Sequence, residues 1–265
     1  MPEPTYTAVN LPITPPSLTV GVAIDHATGI TYIANRDTKQ IQRFPVDGPL
    51  ETLPVTGLGD PYGLQLDAAG RIVVADYGLH RVVRFDPATG IQEVLPFTGL
   101  RFPSDVGIDS QGRVLVVSNG RVTRLNSDGQ QETLGTTAIP RAHGIALDAN
   151  DTIFVTAIGG SEVPGLWKFG ANGEPTRIAM YNLDGPAGVA VGQDGVVYVA
   201  NSGQAQYASR VARFMPDGTF LSHIRTWVPL SGNPAVLRPL GLALDAADNI
   251  TVFGYQPEAI RLIRS

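Results

Sequence analysis

Hydrophobic and polar positions follow one another in short runs, and one run recurs six times along the chain. It is a short apolar stretch with a glycine in second place in five of the six copies and a terminal aspartate in five of the six. The copies are Val20 to Asp25, Tyr62 to Asp67, Ser104 to Asp109, His143 to Asp148, Ala187 to Gly192 and Leu240 to Asp245. Their final residues are spaced by 42, 42, 39, 44 and 53. A tight turn follows, such as Ala68-Ala69-Gly70 or Ser110-Gln111-Gly112, and then a β-branched run such as Arg71 to Asp76 or Val196 to Asn201. A third segment has the form Arg-Val-x-Arg-hydrophobic, at Arg81 to Phe85, Arg121 to Leu125 and Arg210 to Phe214. A fourth, more variable segment precedes the next copy, as at Gln92 to Phe97.

Four short strands in each unit of about 42 residues, six times over, predict an all-β fold. The expected architecture is a six-bladed β-propeller of four-stranded antiparallel blades, forming a single domain over 1–265. The first strand of each unit is nearly all apolar, as expected of an innermost strand covered on both faces. The second and third alternate more. After Asp245 the chain has room for only two more strands, Ile250 to Phe253 and Ala259 to Ile263. The segment Tyr6 to Leu11, within a closing segment 1–17, is expected to complete the last blade and so remove two open sheet edges.

Composition narrows the functional classes. Thirty Gly and 21 Pro in 265 residues exclude a long-helix protein, because both residues break helices. An apolar fraction of 43% is too high for a disordered chain. The net charge of −5 argues against nucleic acid as a partner, although Arg36, Arg141 and Arg238 lie near the expected mouth. With no Cys there is neither a disulfide framework nor a thiolate. No apolar run is long enough for a membrane-spanning helix, so no membrane insertion is expected. The first residues lack the charged and apolar regions of a signal peptide. The expectation is a soluble monomer, cytoplasmic if the chain is complete and extracellular if it is a trimmed sensor domain.

The stretch from Asp60 to Phe85 (Asp-Pro-Tyr-Gly-Leu-Gln-Leu-Asp-Ala-Ala-Gly-Arg-Ile-Val-Val-Ala-Asp-Tyr-Gly-Leu-His-Arg-Val-Val-Arg-Phe) resembles the NHL repeat. The resemblance covers the whole chain. The connectors Leu53 to Pro61 and Leu95 to Pro103 share the pattern Leu-Pro-x-Thr-Gly-Leu. They are similar to connectors of the extracellular sensor propellers of actinobacterial receptor-type Ser/Thr kinases. That likeness implies a fold and a binding role, while the wider family includes binding modules, scaffolds and enzymes.

In such propellers the loops into the innermost strand and those joining the second and third strands share one face. The mouth positions are then Val20, Tyr62, Ser104, His143, Ala187 and Leu240, with Asp105 replacing the usual Gly in the third unit. The second-to-third loops start at Asn35, Asp76, Asn119, Ile158, Asn201 and Gly254. They are uneven: the third unit needs only Asn119-Gly120, whereas the fourth uses 158–165 and the fifth 201–209. The connector from His223 through Trp227 to Arg238 is the longest. Long loops are where binding residues concentrate, so a partial lid over one side of the mouth is one expectation and a neutral insertion the other.

His143 is the best chemical candidate, with Arg141 two residues before it. Asp105, Ser104 and Tyr62 are expected nearby, and Tyr207, Trp227 and Tyr255 are further candidates. An imidazole beside a carboxylate and a phenol suits general acid or base work. The alternative is a His bonded to a loop carbonyl. Asp105 has two readings: it holds a cation or ligand amine, or it accepts loop amides of the adjacent blade. Asn201 is a candidate ligand contact, yet Asx residues ending second strands also cap turns, as do Asn35, Asp76 and Asn119. The repeated Asp25, Asp67, Asp109, Asp148 and Asp245 read as turn residues on the far face. Arg43, Arg84, Arg124 and Arg213 read as blade-surface pairs.

Enzymes on related propellers have site patterns that can be compared. Peptide-amidating lyases need three His for zinc, and only His143 stands at a mouth position. Gluconolactonase-like hydrolases hold a divalent cation with Glu, Asn and Asp, and only Asp105 matches. Streptogramin lyases use a His-Glu-His group, and strictosidine synthase a pocket Glu. Neither set is present at these positions, so no metal and no cofactor are expected. The favoured reading is a sensor propeller binding a small ligand, glycan, peptide or protein partner at the channel mouth. The alternative is a metal-independent lyase, hydrolase or cyclase using His143, Asp105 and Tyr62, and a structural scaffold is third.

Overall fold

The computed structural model describes residues 4–11, 13, 18–159, 164–170, 173–179, 182–203, 210–230, 233–236, 238–254 and 259–265, with backbone only at 227–230 and 233–236. Six four-stranded antiparallel sheets are arranged as the blades of a propeller. Blade one holds Val22–Ile24, Thr31–Asn35, Gln40–Phe44 and Glu51–Thr52. Blade two holds Pro61–Leu66, Ile72–Asp76, Arg81–Phe85 and Gln92–Val94. Blade three holds Pro103–Ile108, Val114–Ser118, Arg121–Leu125 and Gln131–Leu134. Blade four holds Ala142–Leu147, Ile153–Ala157, Gly165–Phe169 and Pro175–Ala179. Blade five holds Pro186–Val191, Val197–Asn201, Arg210–Phe214 and Phe220–Arg225. Blade six holds Pro239–Leu244, Ile250–Gly254 and Ala259–Arg264, and Tyr6–Asn10 pairs antiparallel with the last of these. Among the described residues no helix is long and apolar enough to cross a membrane.

Alternation along each second strand builds the core. Side chains of a strand point to opposite faces in turn, so Ile72 and Val74 join blade one while Val73 and Ala75 join blade three. The same device gives six apolar layers, one at each junction, with the last joining Phe44 of blade one to Phe253 of blade six. All six second strands are buried at every position. The most thoroughly covered strand is therefore the second rather than the innermost. The second has a sheet neighbour on each edge and a blade on each face, whereas the innermost strand leaves one edge to the channel.

The repeated Gly has a steric cause. A Cβ on Gly188 would lie 2.7 Å from the Leu240 carbonyl of the next blade, and one on Gly144 would lie 2.6 Å from that of Ala187. Adjacent inner strands approach so closely that no side chain fits between them. The far-face aspartates form Asx turns: Asp67 accepts Ala69 and Arg71 amides at 3.0 Å, and Asp109 those of Gln111 and Arg113 at 3.1 and 2.9 Å. Three of the four expected surface arginines pair across strands, Arg43 with Glu51, Arg84 with Glu93 and Arg124 with Glu132, whereas Arg213 is buried near the Tyr6 and Tyr198 rings and donates to Ser222.

Candidate functional site

The six mouth residues meet at one end of the channel and fill it. Val20, Ala187 and Leu240 pack together with Leu18 and Tyr62. This apolar half comes from blades five, six and one. Blades two to four supply the polar half. Tyr62 Oη and His143 Nε2 lie 3.2 Å apart, and the two rings meet edge to face. Ser104 Oγ donates to the His143 carbonyl at 2.7 Å. Three of the residues singled out in the sequence thus form one bonded group.

His143 is only 6% exposed. Burial pushes its pKa down to about 4; the Ala187 carbonyl opposes the shift, and the charges of Arg36 and Arg141 add to it. The imidazole is neutral at pH 7 and meets solvent by way of the half-buried Tyr62.

Asp105 lies one residue further in, on the channel side of this plug. Its Oδ1 accepts the Val106 amide and its Oδ2 the Ile145 amide of blade four, both at 2.9 Å. Burial raises its pKa to about 7 against the pull of those two amides. Gly63 makes room for it, since a Cβ there would stand 2.6 Å from the Asp105 Cα.

The remaining candidates separate. Asn201 is fully buried, and its Oδ1 accepts the Asp184 amide at 2.8 Å, which fastens the incoming connector. Asp76 does the same for Gly59 and Asp60, at 2.9 and 3.0 Å. In blade three this work falls to Ser118, whose Oγ bridges the amide and carbonyl of Arg101, rather than to Asn119 one residue later. Trp227 belongs to a two-stranded hairpin, Trp227–Leu230 with Asn233–Val236, whose backbone approaches the closing strand Tyr6–Asn10 at the circumference. Its side chain, and all of Tyr207 and Tyr255, lie outside the described residues. Arg141 is exposed beside the mouth.

An aromatic row was not anticipated. Tyr77 stacks on Tyr62 at 5.2 Å, Phe102 tilts against Tyr77 at 5.1 Å, and His80 meets Phe102 edge-on at 4.5 Å. Arg36 covers the Tyr62 ring at 4.3 Å and is held by two 2.8 Å bonds to Asp60. Phe102 is 52% exposed and Leu79 50%, so one end of the row stands open. Phe102 has a φ of 50°, a conformation uncommon for a side chain of its size. Leu18 and Arg141 share it, at 56° and 53°, and all three precede a mouth residue by two positions. The guanidinium groups of Arg101 and Arg141 have no ion-pair or hydrogen-bond partner among the described residues.

Beneath the plug a cavity of about 690 Å³ runs down the axis. It reaches the opposite face, where Asp25, His26, Ala27, Ala68 and Ser110 line it. Of the six mouth residues only Val20 touches it. The channel is therefore sealed where the sequence places its mouth and open at the other end. Among the described residues no three His, Asp or Glu side chains converge as a metal site would require.

No protein-family model matches the sequence, and no curated protein matches it either. Solved structures match the fold over nearly the whole chain. A gluconolactonase from Xanthomonas campestris superposes with a TM-score of 0.80 at 18% identity, covering 98% of this chain and 90% of that one. Regucalcin from Agrobacterium tumefaciens, a calcium-binding protein, gives 0.72 at 14%, covering 97% and 94%. Virginiamycin B lyase from Staphylococcus aureus gives 0.68 at 14%, covering 98% and 99%. At these identities the likeness is one of fold, and the chain is a six-bladed β-propeller.

Proposed function

We propose that this propeller is a binding module that takes a small anionic ligand with a flat or sugar-like ring on its plugged face. The observation that carries the reading is the half-exposed Phe102 of the aromatic row, with exposed Arg101 next to it in the chain and exposed Arg141 at the corresponding position of the next blade, both guanidinium groups without a partner among the described residues. Aromatic faces bind rings, and an exposed Arg offers a planar fork to a carboxylate. The plug beneath is filled, so a ligand rests on the platform and does not enter the channel. The sensor-like connectors Leu53 to Pro61 and Leu95 to Pro103 support the same role, since the second of them carries Arg101 and Phe102.

The test is calorimetric titration with glucuronate, galacturonate and benzoate. One of these is expected to bind, with affinity reduced at least tenfold in Phe102→Ala and in Arg141→Ala. Absence of binding by all three, or binding indifferent to both substitutions, overturns the reading.

A second reading has one specific observation behind it, the 3.2 Å contact between Tyr62 Oη and His143 Nε2. The phenol is the more exposed member and would meet a substrate, with the neutral imidazole holding its proton. The fold neighbours include a gluconolactonase and a lyase, so lactone opening and lyase chemistry are the reactions to assay. Turnover of an aldonolactone that is lost in Tyr62→Phe and His143→Gln would favour this reading over simple binding.

A further inference from the structure

We infer that the axial cavity is a second binding site, entered from the face opposite the aromatic row, for an organic amine whose ammonium group pairs with Asp105. Its volume of about 690 Å³ falls in the range of small-molecule sites. The walls come from the innermost strands and the turns after them, with aliphatic side chains including Leu64, Val106, Ile145 and Leu242 and with Gln65, Asp25, Asp67 and Asp109 also in the lining. A cavity of that kind favours a compact apolar body.

At its inner end stands Asp105, the residue that replaces the repeat's glycine. An ionised carboxylate offers about four acceptor positions, and the Val106 and Ile145 amides occupy one on each oxygen. The remaining positions lie on a half-buried group that lines the cavity. An ammonium donor satisfies them and supplies the opposite charge that burial otherwise denies the carboxylate. A neutral alcohol of the same shape would gain the apolar contacts alone, and a carboxylic acid anion would be repelled.

The entrance is formed by the turns after the innermost strands. Ala68 is exposed there and makes no side-chain bond, so a bulky replacement can obstruct the opening without disturbing the blades.

The experiment titrates the full chain with cyclohexylmethylamine, cyclohexylmethanol and cyclohexanecarboxylate at pH 7.5. The amine is expected to bind at least tenfold more tightly than the alcohol, with no measurable binding of the carboxylate. Asp105→Asn should bring the amine down to the affinity of the alcohol, and Ala68→Trp should weaken both. Equal affinity of amine and alcohol, no saturable binding of the amine, or amine binding unchanged in Asp105→Asn overturns the inference. If Asp105→Asn does not fold, the amine-to-alcohol ratio and the effect of Ala68→Trp decide it.

Discussion

His143 and Asp105 sit on either side of the channel plug, and burial drives their protonation in opposite directions. A His held near pKa 4 stays neutral in the folded chain at pH values where the unfolded chain takes up a proton. Its contribution is complete above pH 6.5 and is lost as pH falls toward 4. An Asp raised to about 7 keeps its proton after the unfolded chain has released it. Its contribution is complete below about pH 4 and is lost as pH rises toward 7. Between pH 4 and 6.5 the two slopes cancel. Each represents one proton, or about 1.4 kcal/mol per pH unit at most. His143→Gln is therefore expected to become less stable as pH rises through that window, and Asp105→Asn to become more stable. Urea unfolding at pH 4.5, 5.5 and 6.5 reads both slopes, and variants that track the wild type at all three values would remove the assignment.

At the scale of single strands, the meeting of inner-strand glycines with neighbouring carbonyls governs how tightly blades close. Gly188 faces the Leu240 carbonyl at 2.7 Å from its would-be Cβ, a backbone atom that cannot step aside. Gly107 faces the Leu147 Cδ1 at 2.6 Å, the end of a side chain that can turn away. Gly188→Ala should then cost about 1–3 kcal/mol, and Gly107→Ala clearly less. Chemical denaturation of the two variants compares them directly, and equal costs would mean the carbonyl contact does not set the spacing. These glycines also explain why so much of the fold was legible. Gly, the terminal Asp and the Arg-Val-x-Arg run report contacts within a unit or with the next one, and those repeat. The capping residue of blade three was misplaced by one because Asn119 looks like its sister residues, whereas the bond is made by Ser118. The filled mouth, the opening on the other face and the aromatic row were not legible. They depend on how Val20, Ala187 and Leu240 meet across the axis and on how Tyr77 and Phe102 meet between connectors. No period in the sequence encodes those encounters.

For the molecule as a whole, the two ends of the channel differ in kind, and ring closure keeps them so. Inner strands touch their neighbours all the way round, including blade one with blade six. Blade six depends on Tyr6–Asn10, which pairs residue for residue with Ile260 to Arg264. Tyr6 also reaches blade five, where its hydroxyl lies 3.1 Å from that of the fully buried Tyr198. Arg264 ties the same corner to Asp194 and Asp248. Removing residues 1–10 would expose the Ala259–Arg264 strand as an open edge and uncover the layer beneath Tyr6 and Ala8. The truncated chain is expected to melt about 5–10 °C lower, taking a loss of roughly 2–3 kcal/mol at 2–4 °C each. It should also associate through the open edge, whereas Tyr6→Phe, which keeps the strand and loses only the hydroxyl contact with Tyr198, should stay monomeric and melt only about 2–4 °C below the parent. Calorimetry and size-exclusion chromatography at two concentrations report on both effects. A truncated chain that melts like the parent and elutes as the parent does would show that five blades and three strands already make a closed ring.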